Sequence, residues 1–123
     1  MAFKWSEYLD LAQFLFSNSN NFHQITRESA YRSAVSRAYY AAFCHSREYA
    51  RAKYNFIPTG TGKDHKSIRD ELKKNGLIRV ANKLEVIYQW RKKCDYDNDV
   101  NNIDIITQEA IKETIDIFQT IQI

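Results

Sequence analysis

The stretch Ser33-Ala34-Val35-Ser36-Arg37-Ala38-Tyr39-Tyr40-Ala41-Ala42-Phe43 decides the fold of this chain. It holds neither glycine nor proline, and its small and aromatic residues recur at three- and four-residue steps, the periodicity of a helix. Extended both ways, the pattern runs from Arg27 to Lys53, about 40 Å of helix at 1.5 Å per residue. Tyr31, Val35, Ala38, Ala42, His45, Tyr49 and Ala52 make a stripe close to a heptad repeat. Ala30, Ala34, Ala38, Ala41 and Ala42 let a neighbouring helix approach closely. Thr26 reads as the N-cap, with Glu28 in the first turn favouring the helix dipole. So long a helix suits the spine of a bundle. Arg37 is the anomaly, because a charge among apolar residues is costly unless it is paired or serves a site.

Outward from this segment, Trp5, Tyr8, Leu9, Ala12, Leu15 and Phe16 predict a first helix over about Ser6 to Ser17, broken by the Asn-rich link 18–21. Residues 56–62, with Pro58-Thr59-Gly60-Thr61-Gly62, form the one clear loop. A third helix is expected from about Asp64 to Asn75, closed by Gly76 as a left-handed C-cap. A fourth, about Leu77 to Asp95, places Leu77, Ala81, Leu84, Tyr88, Arg91 and Asp95 on one line. The Asp/Asn-rich segment 95–104 ends it. The last helix is expected over about Thr107 to Gln122, with Ala110, Ile111, Thr114, Ile115, Phe118 and Ile121 inward. The fold class is all-α: an up-and-down antiparallel bundle of about five helices around one long central helix, forming a single domain over 1–123.

Composition agrees. At 123 residues the chain can bury one core but not two, and three glycines and one proline leave little loop. No signal peptide and no run of 18 apolar residues is visible, so a cytoplasmic protein with no membrane partner is expected. Cys44 and Cys94 read as small core residues in a reducing compartment. The net charge of +3 hides a gradient: residues 26–98 carry 16 Lys/Arg against 8 Asp/Glu, and residues 99–123 one Lys against 5. A basic middle attracts phosphates, but a solvated helical surface has the same composition and is the preferred reading here.

Arg91 and Asp95, four residues apart, continue an apolar stripe instead of turning to solvent. Two readings follow. In one, Asp95 or Asp97 neutralises Arg37 and locks two helices in register. In the other, Arg91 and Arg37 line a polar notch that contacts a phosphate. The first is preferred for Arg37 and the second for Arg91, which is expected at the frayed end of its helix. His45, on an apolar stripe, reads as a core histidine bonded to backbone or tyrosine. His65 opens a helix after a glycine-bearing loop, beside Lys63, Lys66 and Arg69. Exposed amides there could hold a phosphate, although a plain positively charged cap is the better reading. Gly60-Thr61-Gly62-Lys63 lacks the spacing of a P-loop. Cys44 and His45 are adjacent and diverge by about 100° on a helix, which argues against a thiolate–imidazole pair. No Cys/His spacing suits a metal.

Three blocks together resemble the HEPN domain, a small helical family of prokaryotic RNases and nucleotidyltransferase partners. Ser36-Arg37-Ala38-Tyr39-Tyr40-Ala41-Ala42-Phe43 resembles the SR-x-YYA-x-F signature of one branch. Gly62-Lys63-Asp64-His65-Lys66 resembles its His-Lys helix opening. Arg91-Lys92-Lys93-Cys94-Asp95-Tyr96 resembles its Arg-x-x-Ala-Asp-Tyr motif, with Cys94 in place of alanine. The resemblance implies a homodimer with a polar cleft at the two-fold interface, acting on RNA without metal or cofactor in a bacterial defence or toxin–antitoxin system. The alternative it implies is a non-catalytic module that partners a small nucleotidyltransferase, which in some such pairs modifies a tyrosine near the position of Tyr96. Active relatives place a histidine after the arginine that Arg91 matches, with four to six residues between the two. Here those positions are no histidine: Tyr96, Asp97 and Asn98 stand in the range it would occupy. Aspartate, with a pKa near 3.9, and tyrosine, near 10, are weak bases for a 2′-hydroxyl. Under this reading Arg91 and Asp95 are the candidate catalytic residues. Arg37, Tyr40, His65, Lys66 and Tyr96 are the candidate substrate contacts.

Overall fold

Thr26 caps the long helix as expected: its Oγ1 accepts from the Ser29 amide at 3.0 Å. The structure is a computed structural model that describes residues 2–23 and 25–123. Among them it forms five helices and no strand: α1 Ser6–Ser17, α2 Arg27–Tyr54, α3 Lys63–Lys74, α4 Ile78–Tyr96 and α5 Ile103–Thr120. Helix α2 is the spine and packs against all four others. Its buried residues ring it on several sides, and Ala34, Val35, Ala38, Tyr39, Ala41 and Ala42 are fully enclosed. A stripe so rich in alanine brings backbones close, and helix α5 uses that proximity. Thr114 Oγ1 donates to the Ala38 carbonyl at 3.2 Å, and Thr107 Oγ1 reaches the Tyr31 carbonyl at 3.5 Å. One heptad further on, His45 Nε2 donates to the Ile121 carbonyl at 2.5 Å.

These contacts climb both helices together, so α5 lies parallel to α2. Helix α4 runs the other way, with Arg91 beside Tyr39 and Tyr40 and the carbonyl of Cys94 beside Arg32. After Asn55, in the left-handed region at φ 55°, the 55–62 connection doubles back along α2. It brings His65, at the start of α3, against Phe43 in mid-helix, 4.4 Å between ring centroids. That return is what carries α3 to the site.

Helix α3 closes as predicted, with Gly76 at φ 85°. The Gly76 amide bonds to the Lys73 carbonyl at 3.0 Å and the Leu77 amide to the Leu72 carbonyl at 2.8 Å, the paired bonds of a Schellman turn. Helix α5 departs from expectation, starting at Ile103 rather than Thr107. Asn102 takes the left-handed region at φ 57° and turns the chain, so that Ile103 and Ile106 pack onto the core. Thr107 is then helical and fully buried, its hydroxyl bonded back to the Ile103 carbonyl at 2.6 Å. Among the described residues no helix is long and apolar enough to cross a membrane.

Candidate functional site

Arg91 is the centre of the site. Helix α4 carries it inward on the same line as the buried Ala81, Leu84 and Ile87, and it is 8% exposed. It is therefore not at a frayed end, as the sequence suggested. Its helix continues to Tyr96, and Arg32 of α2 clamps that terminus. The Arg32 guanidinium donates to the carbonyls of Cys94 (2.9 Å), Asp97 (2.6 Å) and Asn98 (3.1 Å) and pairs with Glu28 (3.2 Å). Carbonyls that a helix end leaves unpaired are thus satisfied by a neighbouring helix.

Three tyrosine rings enclose the Arg91 guanidinium. Its carbon lies 5.4 Å from the centroids of Tyr39, Tyr40 and Tyr88. Such contacts contribute about 0.5–2 kcal/mol each, more when desolvated. Nη1 donates to Asp95 Oδ2 at 3.3 Å, whereas Nε is buried with no partner among the described residues. Burial works against the charged guanidinium. The pull of Tyr40, Asp95 and Tyr39 more than offsets it, so Arg91 holds its proton more tightly than usual.

The structure brings His65 to the same rings. Its imidazole lies 5.6 Å from Tyr39 and 5.1 Å from Tyr88, centroid to centroid, and its Nδ1 is hydrogen bonded to the buried Tyr39 hydroxyl. Burial first, then the charges of Arg91 and Arg69, lower the His65 pKa, so the ring is neutral at pH 7. Burial likewise raises the Tyr39 phenol. The cluster thus holds a neutral imidazole and a permanent cation against common walls.

Arg37 behaves otherwise than expected. It pairs with neither Asp95 nor Asp97. Its guanidinium lies over Tyr8 at 4.9 Å and Tyr40 at 5.6 Å. The reason is that Asp95 turns to Arg91, one turn away on its own helix, while Asp97 lies beyond the helix end with its carbonyl held by Arg32. Tyr40 therefore bridges the two arginines.

The loop before α3 is not a phosphate cradle. Asp64, 4% exposed, accepts from the Thr59 amide (2.9 Å), the Thr59 hydroxyl (2.7 Å) and the Gly60 amide (2.9 Å). The bonds from Thr59 hold its carboxyl below the usual range, and the amides are spent on it. Lys66 points to solvent and pairs with Asp70 at 3.0 Å, away from the cluster. Tyr96 is 74% exposed, so it does not pack over the end of α4.

His45 is the core histidine expected, stacked 4.1 Å from Phe118 and bonded to Ile121. Cys44 and Cys94 are buried and free, and burial pushes the Cys94 thiol up to about 11. Sequence reasoning missed the roles of Tyr39, Tyr88, Arg69 and Arg32. Arg69 lies 5.0 Å over Tyr88, which also takes Lys92 Nζ at 5.0 Å, and it pairs with Glu85 at 2.8 Å. One signal was available: Tyr88 precedes Arg91 by three residues and Arg69 follows His65 by four, which are same-face spacings.

No family model matches the chain, and no solved structure matches it. The uncharacterized protein MJ0992 of Methanocaldococcus jannaschii is 31% identical over 132 aligned positions, covering 94% of this chain and 71% of that protein. The chain belongs to the family of MJ0992.

Proposed function

We propose that the protein is a metal-independent, RNA-acting domain of the HEPN type that works as a homodimer in the cytoplasm. One observation carries this reading: Arg91 is buried, charged and incompletely partnered, and His65 lies against two of the three rings that enclose it. A cation is kept dry at this cost where an anion comes to it. The resemblance of the Arg37, His65 and Arg91 blocks to HEPN motifs supports the same conclusion.

The chemistry follows from those two groups. His65, neutral at pH 7, accepts the proton of a ribose 2′-hydroxyl, whose oxygen then attacks the neighbouring phosphorus. Arg91 stabilises the charge that builds on the phosphoryl oxygens; the bond from phosphorus to the 5′-oxygen breaks, that oxygen takes a proton from water, and a 2′,3′-cyclic phosphate is left. Asp95 orients Arg91 from the next turn. In this reading His65 does the work of the histidine missing after Arg91.

The test is incubation of structured RNA with the wild type, Arg91→Met and His65→Gln in EDTA. Methionine fills the cage without a charge, so the fold is expected to survive. We expect wild-type cleavage that falls by about 100-fold or more in both variants. Cleavage that persists in both variants, or none by the wild type, contradicts the ribonuclease reading.

A second reading rests on the exposure of Tyr96. Its hydroxyl is open to a modifying enzyme, as expected of a module that partners a nucleotidyltransferase. Adenylylation on incubation with such a partner and ATP, abolished by Tyr96→Phe, is its expected signature.

A further inference from the structure

Beside the Arg91 cage lies a second feature, a groove of about 350 Å³ between the start of α2 and the end of α4. Ser29, Ser33 and Ser36 line it at four- and three-residue steps, which puts their hydroxyls on one face of α2. Arg32, Arg37, Cys94 and Asp95 complete its walls. No side-chain hydrogen bond joins the three serine hydroxyls to another described residue, and Ser36 as a residue is 7% exposed. Arg32 is fully committed to carbonyls and Glu28. Arg37 is not committed: it has no ion pair among the described residues and is held only by the faces of Tyr8 and Tyr40. The Asp95 carboxylate is matched by Arg91 at 3.3 Å, so it does not cancel Arg37.

A fixed, unpaired guanidinium facing a row of unbonded hydroxyls suits a tetrahedral oxyanion. The volume is that of a small-ligand site. We propose that this groove is a phosphate-binding subsite, with Arg37 as the charge and Ser33 and Ser36 as hydrogen-bonding partners. The Tyr40 ring centroid lies 5.6 Å from the Arg37 guanidinium carbon and 5.4 Å from that of Arg91, so the groove adjoins the cage across one ring. For a strand as ligand, the inference rests on the RNA-acting reading and gives it a direction: the backbone runs from the cage along α2 towards Ser29. For a free nucleotide it stands without that reading.

The experiment measures anisotropy of a fluorescein-labelled, uncleavable 2′-O-methyl oligonucleotide, with ATP titrated separately. The proteins are the wild type, Arg37→Gln, Ser33→Asp and Arg91→Met. Ser33 is exposed, so the aspartate adds repulsion in the groove without disturbing the core. We expect Arg37→Gln and Ser33→Asp each to weaken oligonucleotide binding about tenfold or more. Arg37→Gln should also lower the salt slope by about 0.7, one phosphate contact on a single strand. Binding of ATP but not of oligonucleotide, lost in both groove variants, keeps the subsite, makes its ligand a free nucleotide and overturns the RNA reading. Oligonucleotide binding that falls in Arg91→Met but is unchanged in both groove variants overturns the subsite and leaves the RNA reading standing. No binding of either ligand by the wild type overturns the subsite.

Discussion

Arg91 and His65 share two tyrosine rings, and the charge of Arg91 makes His65 less willing to carry a proton. A protonated His65 would face Arg91 and Arg69 across those rings, in surroundings that solvate it poorly. His45, enclosed by Phe118 and bonded to Ile121, is lowered chiefly by burial. Unfolded, both imidazoles titrate near 6.5. Between that value and the lower folded pKa, the unfolded chain holds more protons than the native one. Stability is therefore complete above about pH 6.5 and is lost as pH falls through the folded pKa. We expect the melting temperature to be level between about pH 8 and 7 and to fall from about 6.5 to 5. The double variant His45→Gln/His65→Gln should flatten that fall; a level wild-type profile down to pH 5 would contradict the assignment. At this scale the sequence was informative about type but not about partner. Arg37, Arg91 and Asp95 stood out as charges on apolar stripes, and His65 as a histidine opening a helix. Which arginine Asp95 served could not be read, because a pair one turn apart competes with one between helices, and geometry decides.

The helices follow local rules closely, and their ends are where single substitutions speak. Gly76 sits at φ 85°, a region that L side chains enter at a cost, while Gly62 sits at φ −60° with open space where a Cβ would go. Gly76→Ala is expected to destabilise by about 1 kcal/mol. Gly62→Ala should be neutral or slightly stabilising. Urea unfolding of the two variants checks this, and equal midpoints would refute the Schellman assignment. Thr26 and Gly76 were legible because caps use few residue types. The start of α5 was not, since Asn102 in a run of Asp and Asn gives no sign that it alone adopts the left-handed turn. Nor was Arg32, whose carbonyl partners lie at and just beyond the end of a different helix.

Across the whole molecule, stability rests on how closely the other helices approach α2. Ala38 is fully enclosed, and its carbonyl accepts from Thr114 of the parallel helix α5. A larger side chain there must push the helices apart. Ala38→Leu is expected to cost about 1–3 kcal/mol, read as a lower urea midpoint at unchanged slope; an unchanged midpoint would mean that the close packing is not tight. By itself the sequence determined that the chain is helical, nearly where each helix lies, and which residues were too polar for their stripes, because periodicity, capping and turn chemistry act over a few neighbouring residues. Only the tertiary structure decided that α5 runs parallel to α2 and that the 55–62 connection doubles back to deliver His65 beside Arg91. It also left Arg37 without a carboxylate. Those outcomes depend on contacts between residues far apart in the chain, where many pairings satisfy the same stripes and only the packed whole selects one.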